Sequence, residues 1–71
     1  MTTIIEAAEI INKEFAGCNA YVDDKKIEVS YRGKKNEEII IENGSISYKG
    51  TWQIAQVAGQ IADRLNLVKN F

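Results

Sequence analysis

The chain has 71 residues, a formal net charge of −1, one cysteine, and no histidine or proline. A chain this short forms one small domain over residues 1–71, and a core of that size yields only about 3–5 kcal/mol without a staple or a partner. One cysteine cannot form an intrachain disulfide, and it fits the reducing cytoplasm better than secretion. Without histidine a Cys/His zinc site is excluded, and we expect neither metal nor cofactor.

Two classes of partner are disfavoured by composition. The near-neutral charge argues against a general nucleic-acid-binding protein, which normally carries a basic surplus. No apolar run approaches the roughly 18 residues that cross a bilayer, so we expect no membrane partner. The apolar and charged fractions are those of an ordinary globular domain.

The first segment has the pattern of an amphipathic helix. Thr3 and Glu6 fit a capping box at its start. Behind them one apolar stripe recurs at helical spacing: Ile4, Ala7, Ala8, Ile11 and Phe15. Gly17 follows, where a left-handed residue commonly ends a helix. The sequence therefore predicts a helix over residues 3–16.

Apolar and polar residues then alternate from residue 19 to residue 49, which is typical of strands. Turn signals divide this region: Asp-Asp-Lys-Lys at 23–26, Gly-Lys-Lys-Asn at 33–36 and Asn-Gly at 43–44. Asn43-Gly44 is the strongest of them, because a type I′ turn needs positive φ at both central residues. The spacing predicts an antiparallel meander of four strands, of which the fourth also fits a mere extension of the hairpin.

A second helix is predicted over residues 52–66, with Thr51 as its N-cap. Its apolar stripe is Ile54, Val57, Ala58, Ile61 and Leu65. Trp52 is expected to cover the sheet edge as part of the core, with a partly exposed anchor as the alternative. The last six residues are expected to fold back over the core through Leu67, Val68 and Phe71.

The order of elements predicts an α+β fold, α-β-β-β-(β)-α, with an antiparallel meander sheet. Because such a sheet has one apolar face and each helix has one apolar stripe, both helices are expected to pack on the same face. The expected core consists of Ile4, Ile11, Phe15, Val22, Ile27, Val29, Tyr31, Ile39, Ile41, Ile46, Ile54, Val57, Ile61 and Leu65.

The run Glu-Glu-Ile-Ile-Ile-Glu at residues 37–42 determines which side chains the open face carries. Strand side chains alternate, and an inward Ile40 would bury Glu38 and Glu42, so Ile40 is expected to point outward. One exposed isoleucine is ordinary and needs no function. The functional interpretation is a protein-binding surface with an apolar centre and a charged rim, made of Tyr21, Ile40, Glu28, Arg32, Glu38 and Glu42.

Basic residues are expected to gather at one end of the sheet beside an aromatic ring: Arg32, Lys34, Lys35, Lys49 and Trp52. Such a cluster can hold phosphates and stack a base, which favours weak nucleic-acid binding. Solvated turn residues, and lysines that guard strand edges, produce the same pattern without any ligand.

Catalysis is not indicated by any motif, and we expect no enzyme. Histidine is absent, and no nucleophile stands beside a base. Cys18 follows the C-terminal end of the first helix, where the dipole does not stabilise a thiolate, so it is expected to be a small buried residue. The glycines mark turns rather than a phosphate loop, and so short a chain has little room for a concave pocket.

The order of elements is similar to the double-stranded-RNA-binding fold and to the small toxin ribonucleases that share it. The RNA-binding family places a lysine cluster at the start of its last helix, where this chain has Tyr-Lys-Gly-Thr-Trp-Gln with Lys49 alone. The toxins depend on a histidine, which this chain lacks. The order is also similar to that of several phage-encoded inhibitors of host nucleases, which occlude a partner surface.

The sequence thus favours a non-enzymatic protein-interaction module in the cytoplasm, of the kind that phages or mobile elements use to occlude a host protein. Its partner is expected to be another protein or a second copy in a homodimer, bound through the open sheet face or a self-paired edge strand. The alternative is a weak nucleic-acid-binding domain with double-stranded-RNA-binding-like topology, which uses the basic end of the sheet.

Overall fold

The computed structural model describes residues 2–71, apart from the side chains of Thr2, Lys34, Lys35 and Asn36. The elements in chain order are α1 (Thr2–Glu14), β1 (Cys18–Asp23), β2 (Lys26–Tyr31), β3 (Lys34–Glu42), β4 (Ser45–Lys49), α2 (Trp52–Leu65) and β5 (Val68–Lys69). The strands form one sheet in the order β1-β2-β3-β4-β5, antiparallel except for the parallel pair of β4 and β5. Both helices join one face of it in a single buried cluster, which confirms the predicted α+β fold. Neither helix is long and apolar enough to cross a bilayer.

The helix bounds are close to the predicted ones: α1 spans Thr2–Glu14 instead of 3–16, and α2 spans Trp52–Leu65 instead of 52–66. Gly17 has positive φ just beyond α1, as expected for the residue that reverses the chain. Thr51 is the extended N-cap of α2, and Asn66 ends α2 in the left-handed conformation, with its N–H donating to the Ala62 carbonyl. The capping box at Thr3 is wrong, because α1 already includes Thr2 and Thr3 lies within the helix.

Two-residue turns join the four antiparallel strands. Asn43-Gly44 turns between β3 and β4 with φ of 53° and 77°, as a type I′ turn requires. The turn predicted at 33–36 is wrong, because Arg32-Gly33 makes it with φ of 52° and 84° and β3 begins at Lys34. Glycine at the second turn position is what permits this tight connection.

The longer β3 is accommodated by a register shift against β2. Val29 pairs with Glu37, but Tyr31 pairs with Lys34, so β3 carries one more residue than β2 in this interval. Such a bulge lets the strand bend while the pairing resumes on both sides. Beyond it the register is regular and places Ile27 opposite Ile39.

Most of the predicted core is buried, and Phe15, Tyr31 and Leu65 pack against it from partly buried positions. Small residues complete the cluster: Ala7, Ala8, Cys18, Ala20, Ala58 and Ala62. The assignment of Val22 to the core is wrong. It lies near the end of the edge strand β1, where its side chain is 44% exposed.

The C-terminal residues extend the sheet instead of folding over the core, which corrects the prediction for Val68 and Phe71. The Val68 N–H donates to the Gly44 carbonyl, and the Asn70 N–H donates to the Ile46 carbonyl. Val68 and Phe71 are exposed, and the Phe71 ring meets Tyr48 edge-on with centroids 5.0 Å apart. The last residues pair with β4 instead of covering the core because this pairing satisfies backbone groups along the edge of β4.

The free edge of β1 is occupied by a side chain of α1. Asn12 Nδ2 donates to the Ala20 carbonyl over 3.1 Å, and the Ala20 N–H donates to Asn12 Oδ1 over 2.8 Å. The amide thus replaces a neighbouring strand at this residue. Because an uncovered edge is a template for pairing with another chain, Asn12 blocks that route at the middle of β1.

Asn12→Ala should lower the free energy of unfolding by about 1–2 kcal/mol, because the N–H and the carbonyl of Ala20 both lose their hydrogen-bond partner. The same change should increase self-association through the uncovered edge of β1. Urea unfolding and sedimentation velocity measure the two effects. Asn19→Ala, in an exposed residue of the same strand, should stay within about 0.5 kcal/mol of the wild type. Equal losses in both variants would show that the Asn12 amide contributes nothing special.

Candidate functional site

Strand β3 divides its side chains between the two faces as predicted. Ile39 and Ile41 are 0% and 9% exposed under the helices. Glu38, Ile40 and Glu42 alternate with them and lie on the opposite, open face. The prediction that Ile40 faces outward is confirmed.

The register arranges the open face in rows, because directly opposed residues in a sheet share a face. One row crosses β1 to β4 and consists of Tyr21, Glu28, Glu38 and Lys49. The next row consists of Asp23, Lys26, Ile40 and Ser47. Tyr21 is 65% exposed, whereas Ile40 is half-buried.

Ion pairs occupy much of the open face. Lys26 Nζ lies 3.2 Å from Glu38 Oε2, and Lys25 Nζ lies 3.2 Å from Glu42 Oε2. The hydrogen bond and charge of Glu38 raise the pKa of Lys26, and the nearby carboxylates of Glu28 and Asp23 act in the same direction. Lys26 is thus surrounded by carboxylates at the centre of the face.

Tyr21 and Ile40 share the open face, but they do not form a continuous apolar centre. They lie on β1 and β3 with β2 between them, so their backbones are roughly 10 Å apart or more at the usual strand spacing. The Lys26–Glu38 ion pair occupies the intervening surface. The predicted surface is therefore two apolar positions around an ion pair.

Arg32 does not lie with the other predicted rim residues. It is in the turn after β2, where its N–H donates to the Gly17 carbonyl over 3.0 Å. Its guanidinium carbon stands 5.4 Å from the centroid of the Tyr31 ring. Arg32 is thus at the end of the sheet beside the end of α1, away from Glu38 and Glu42.

The predicted basic end is less compact than the sequence suggested. Lys49 of β4 stands opposite Glu38 of β3, whereas β3 begins at Lys34. Lys34 is four residues from Glu38, so it lies roughly 13 Å further along the sheet at about 3.3 Å per residue. The side chains of Lys34 and Lys35 lie outside the described residues.

Trp52 is 65% exposed, so its assignment to the core is wrong and the exposed alternative holds. It occupies the first turn of α2, beyond the end of the sheet. Ile54, two residues later, takes the buried position and is 2% exposed. The indole therefore borders a cleft instead of closing the core.

A cleft of about 360 Å³ opens between the end of α1 and the start of α2. Such a volume lies at the lower end of the range for small-molecule sites, although so short a chain was expected to have little room for a concave pocket. The residues that line it are Glu14, Phe15, Ala16, Cys18, Tyr31, Glu37, Trp52, Gln53, Ile54, Gln56, Val57 and Gln60. They come from five separate elements and the α1–β1 connection, so no local sequence motif identifies them.

Glu37 is the buried acid of this cleft, and sequence reasoning missed it. Its side chain is 8% exposed, and Oε2 accepts hydrogen bonds from the Thr51 N–H (3.1 Å) and from the Thr51 hydroxyl. Thr51 makes no side-chain cap bond to its own helix, so the carboxylate from β3 serves the start of α2 instead. Because a helix N-terminus favours a negative charge, the same contact ties α2 to the sheet.

Gly50 gives Glu37 the space that it occupies. A Cβ built on Gly50 would stand 2.8 Å from Glu37 Cγ and 3.1 Å from Ile54 Cγ2. The residue also has φ of 143°, which side-chain-bearing residues rarely adopt. Glycine is therefore required here for both contact and conformation.

Cys18 is the buried thiol predicted from its position. Burial raises its pKa, and the nearby Glu37 carboxylate raises it further. Both effects oppose the thiolate, which is the nucleophilic form. Among the residues described, no three His, Cys, Asp or Glu side chains converge as a metal site requires.

An ion pair between the two helices stands beside the cleft. Glu14, the last residue of α1, pairs with Arg64 near the end of α2. The hydrogen bond from Arg64 lowers the pKa of Glu14, and the same bond raises the pKa of Arg64. Glu14 therefore lines the cleft with its negative charge already paired with Arg64.

No protein-family model matches the chain, and searches of curated proteins and of solved structures return no match. Its function has to be inferred from the geometry of its own surfaces.

Gly50→Ala should lower the free energy of unfolding by about 2–4 kcal/mol, because the added methyl group meets Glu37 and the backbone is strained. Gly44→Ala is the matched control. It also has positive φ, but nothing stands within 4 Å of its Cβ position, so its loss should be about 1 kcal/mol. Urea unfolding measures both, and equal losses would contradict the Gly50–Glu37 contact.

The Cys18 thiol should react slowly with iodoacetamide at pH 8 in the native protein and at the rate of a free thiol in denaturant. The raised pKa means that the thiolate fraction is lower than in the unfolded chain at the same pH. The native rate should keep increasing at pH values where the unfolded chain has levelled off. A native rate equal to the unfolded rate would show that the thiol is accessible and unperturbed.

Proposed function

We propose that this protein is a non-enzymatic protein-interaction module that binds its partner through the open face of the sheet. The observation that carries this proposal is the exposed Tyr21 among carboxylates, on a face to which neither α1 nor α2 contributes. In a domain of this size an uncovered sheet face is the broadest surface available for a partner.

Tyr21 is the anchor of this surface. Its ring is 65% exposed, and tyrosine is among the residues that contribute most to binding when they become buried in an interface. Glu28 stands opposite it on β2, and Asp23 follows it on the same face of β1. Ile40 supplies the second apolar contact two strands away.

The charges around Tyr21 favour a basic partner. Glu38 and Glu42 are already paired with Lys26 and Lys25. Asp23 and Glu28 remain as the carboxylates next to the ring, with Lys26 between them and Glu38. A partner that places a lysine or arginine against Tyr21, Asp23 and Glu28 would gain both ion-pair and cation–π contacts.

The face is a better binding surface than either edge. Asn12 already satisfies the backbone of Ala20 on β1, and the other edge strand, β5, offers only two residues for pairing. The carboxylates of the face would also repel phosphates, which disfavours nucleic acid there. Occlusion of a host protein, as phage-encoded inhibitors perform it, is a mode of action that such a domain suits, and a homodimer is the other form of the same contact.

Ile40→Lys should weaken association with the partner by at least about tenfold. The change removes an apolar contact and adds a positive charge near Lys25 and Lys26, which would repel a basic partner. The test is a quantitative pull-down from source-cell lysate after nuclease treatment, together with sedimentation of the purified protein. Sedimentation distinguishes self-association from binding to another protein.

Ile5→Lys is the matched control, because Ile5 is 51% exposed on α1, away from the open face. It should bind as the wild type does. Equal effects of the two variants would contradict a role for the open face. Loss of the bound material after nuclease treatment would favour the nucleic-acid alternative.

A further inference from the structure

We propose that the cleft between α1 and α2 binds an organic cation, specifically the alkylammonium group of a small ligand or of a methylated lysine. This site is separate from the open sheet face and does not depend on the function proposed for it. The two surfaces lie on opposite sides of the sheet, so each can be tested while the other is unchanged.

The lining of the cleft has the composition of a cation site. Three aromatic side chains contribute to it, those of Phe15, Tyr31 and Trp52. Its charged lining residues are Glu14 and Glu37, both negative, and the cleft walls carry no described basic side chain. Aromatic faces and carboxylates attract the same ligand, because the ring quadrupole is negative at its face.

Tyr31 already makes a contact of this kind with Arg32. The Arg32 guanidinium carbon lies 5.4 Å from the ring centroid. Arg32 does not line the cleft, so its charge does not fill the space between the helices. The ring is therefore held in position by one cation while it borders the cavity that would take another.

Glu37 supplies the charge that the ligand would neutralise. It is 8% exposed, and its two hydrogen bonds come from neutral donors of Thr51, both to Oε2. None of the described lysines or arginines forms an ion pair with it. Burying a carboxylate is costly, and an entering cation reduces that cost. Glu14 contributes less, because Arg64 already pairs with it.

The size and rim of the cleft fit a small cation with a polar tail. About 360 Å³ is ample for an alkylammonium head group and is within the range of small-ligand sites. Gln53, Gln56 and Gln60 line the α2 side, where their amides can hydrogen-bond a hydroxyl or a peptide group of the ligand. Choline is therefore a suitable probe.

The experiment titrates the wild-type protein with choline and follows the fluorescence of Trp52, the one tryptophan of the chain. We expect a saturable change, and 3,3-dimethylbutan-1-ol, the uncharged analogue of choline, should bind at least about tenfold more weakly. A trimethyllysine peptide forms a second arm. Tighter binding of the peptide than of choline would identify a protein side chain as the ligand, and the reverse would identify a small molecule.

Glu37→Gln removes the charge and keeps an oxygen that can accept from Thr51, so it should weaken choline binding by at least about tenfold. Glu6→Gln is the matched control, because it makes the same charge change at an exposed residue of α1 that does not line the cleft, and it should leave choline binding unchanged. Trp52→Ala, in an exposed residue, should also weaken binding when followed by calorimetry. The absence of a saturable response to choline and to the peptide, equal affinity for the uncharged analogue, or equal losses in Glu37→Gln and Glu6→Gln would overturn the proposal.

Discussion

The alternation of side chains along β3 is the constraint on which the rest of the structure depends. β3 is the central strand, and its inward residues Glu37, Ile39 and Ile41 all contact groups on the helix side. A shift of one residue would place Glu38 and Glu42 under the helices, where burying their charges is costly. The same alternation puts Glu37 where it meets Thr51, so the position of α2 follows from the register of the sheet.

Much of this fold could be predicted because its signals are local. The apolar stripes of both helices, the Asn43-Gly44 turn and the placement of Ile40 each follow from a few neighbouring residues. The failure at residues 33–36 has a local cause as well. Two lysines after Gly33 resemble a polar turn, but the positive φ at Arg32 and Gly33 completes the turn earlier. Arginine is uncommon at positive φ, so the sequence did not indicate that Arg32 would be a turn residue.

The remaining differences arise from contacts between distant segments. Glu37 lies on the same face of β3 as Ile39 and Ile41, but a charged residue is not expected to be buried. Only the structure shows that Thr51 donates the hydrogen bonds that make its burial possible. The Asn12 amide on Ala20 and the exposure of Trp52 depend on how the helices sit against the sheet. The sequence therefore predicted the residues of the open face apart from Arg32, but it could not predict the cleft, whose walls combine the end of α1, β1, β2, β3 and α2.

The parallel pairing of β5 with β4 has a consequence for the order in which the molecule assembles. The meander from β1 to β4 joins strands through two-residue turns, so its contacts close short loops and can form early. β5 reaches β4 across the whole of α2, so its pairing closes a longer loop than the hairpins do, and we expect it to form later. We therefore expect the last two-residue strand to be the first to open, which places the least persistent protection against solvent exchange at the N–H groups of Val68 and Asn70.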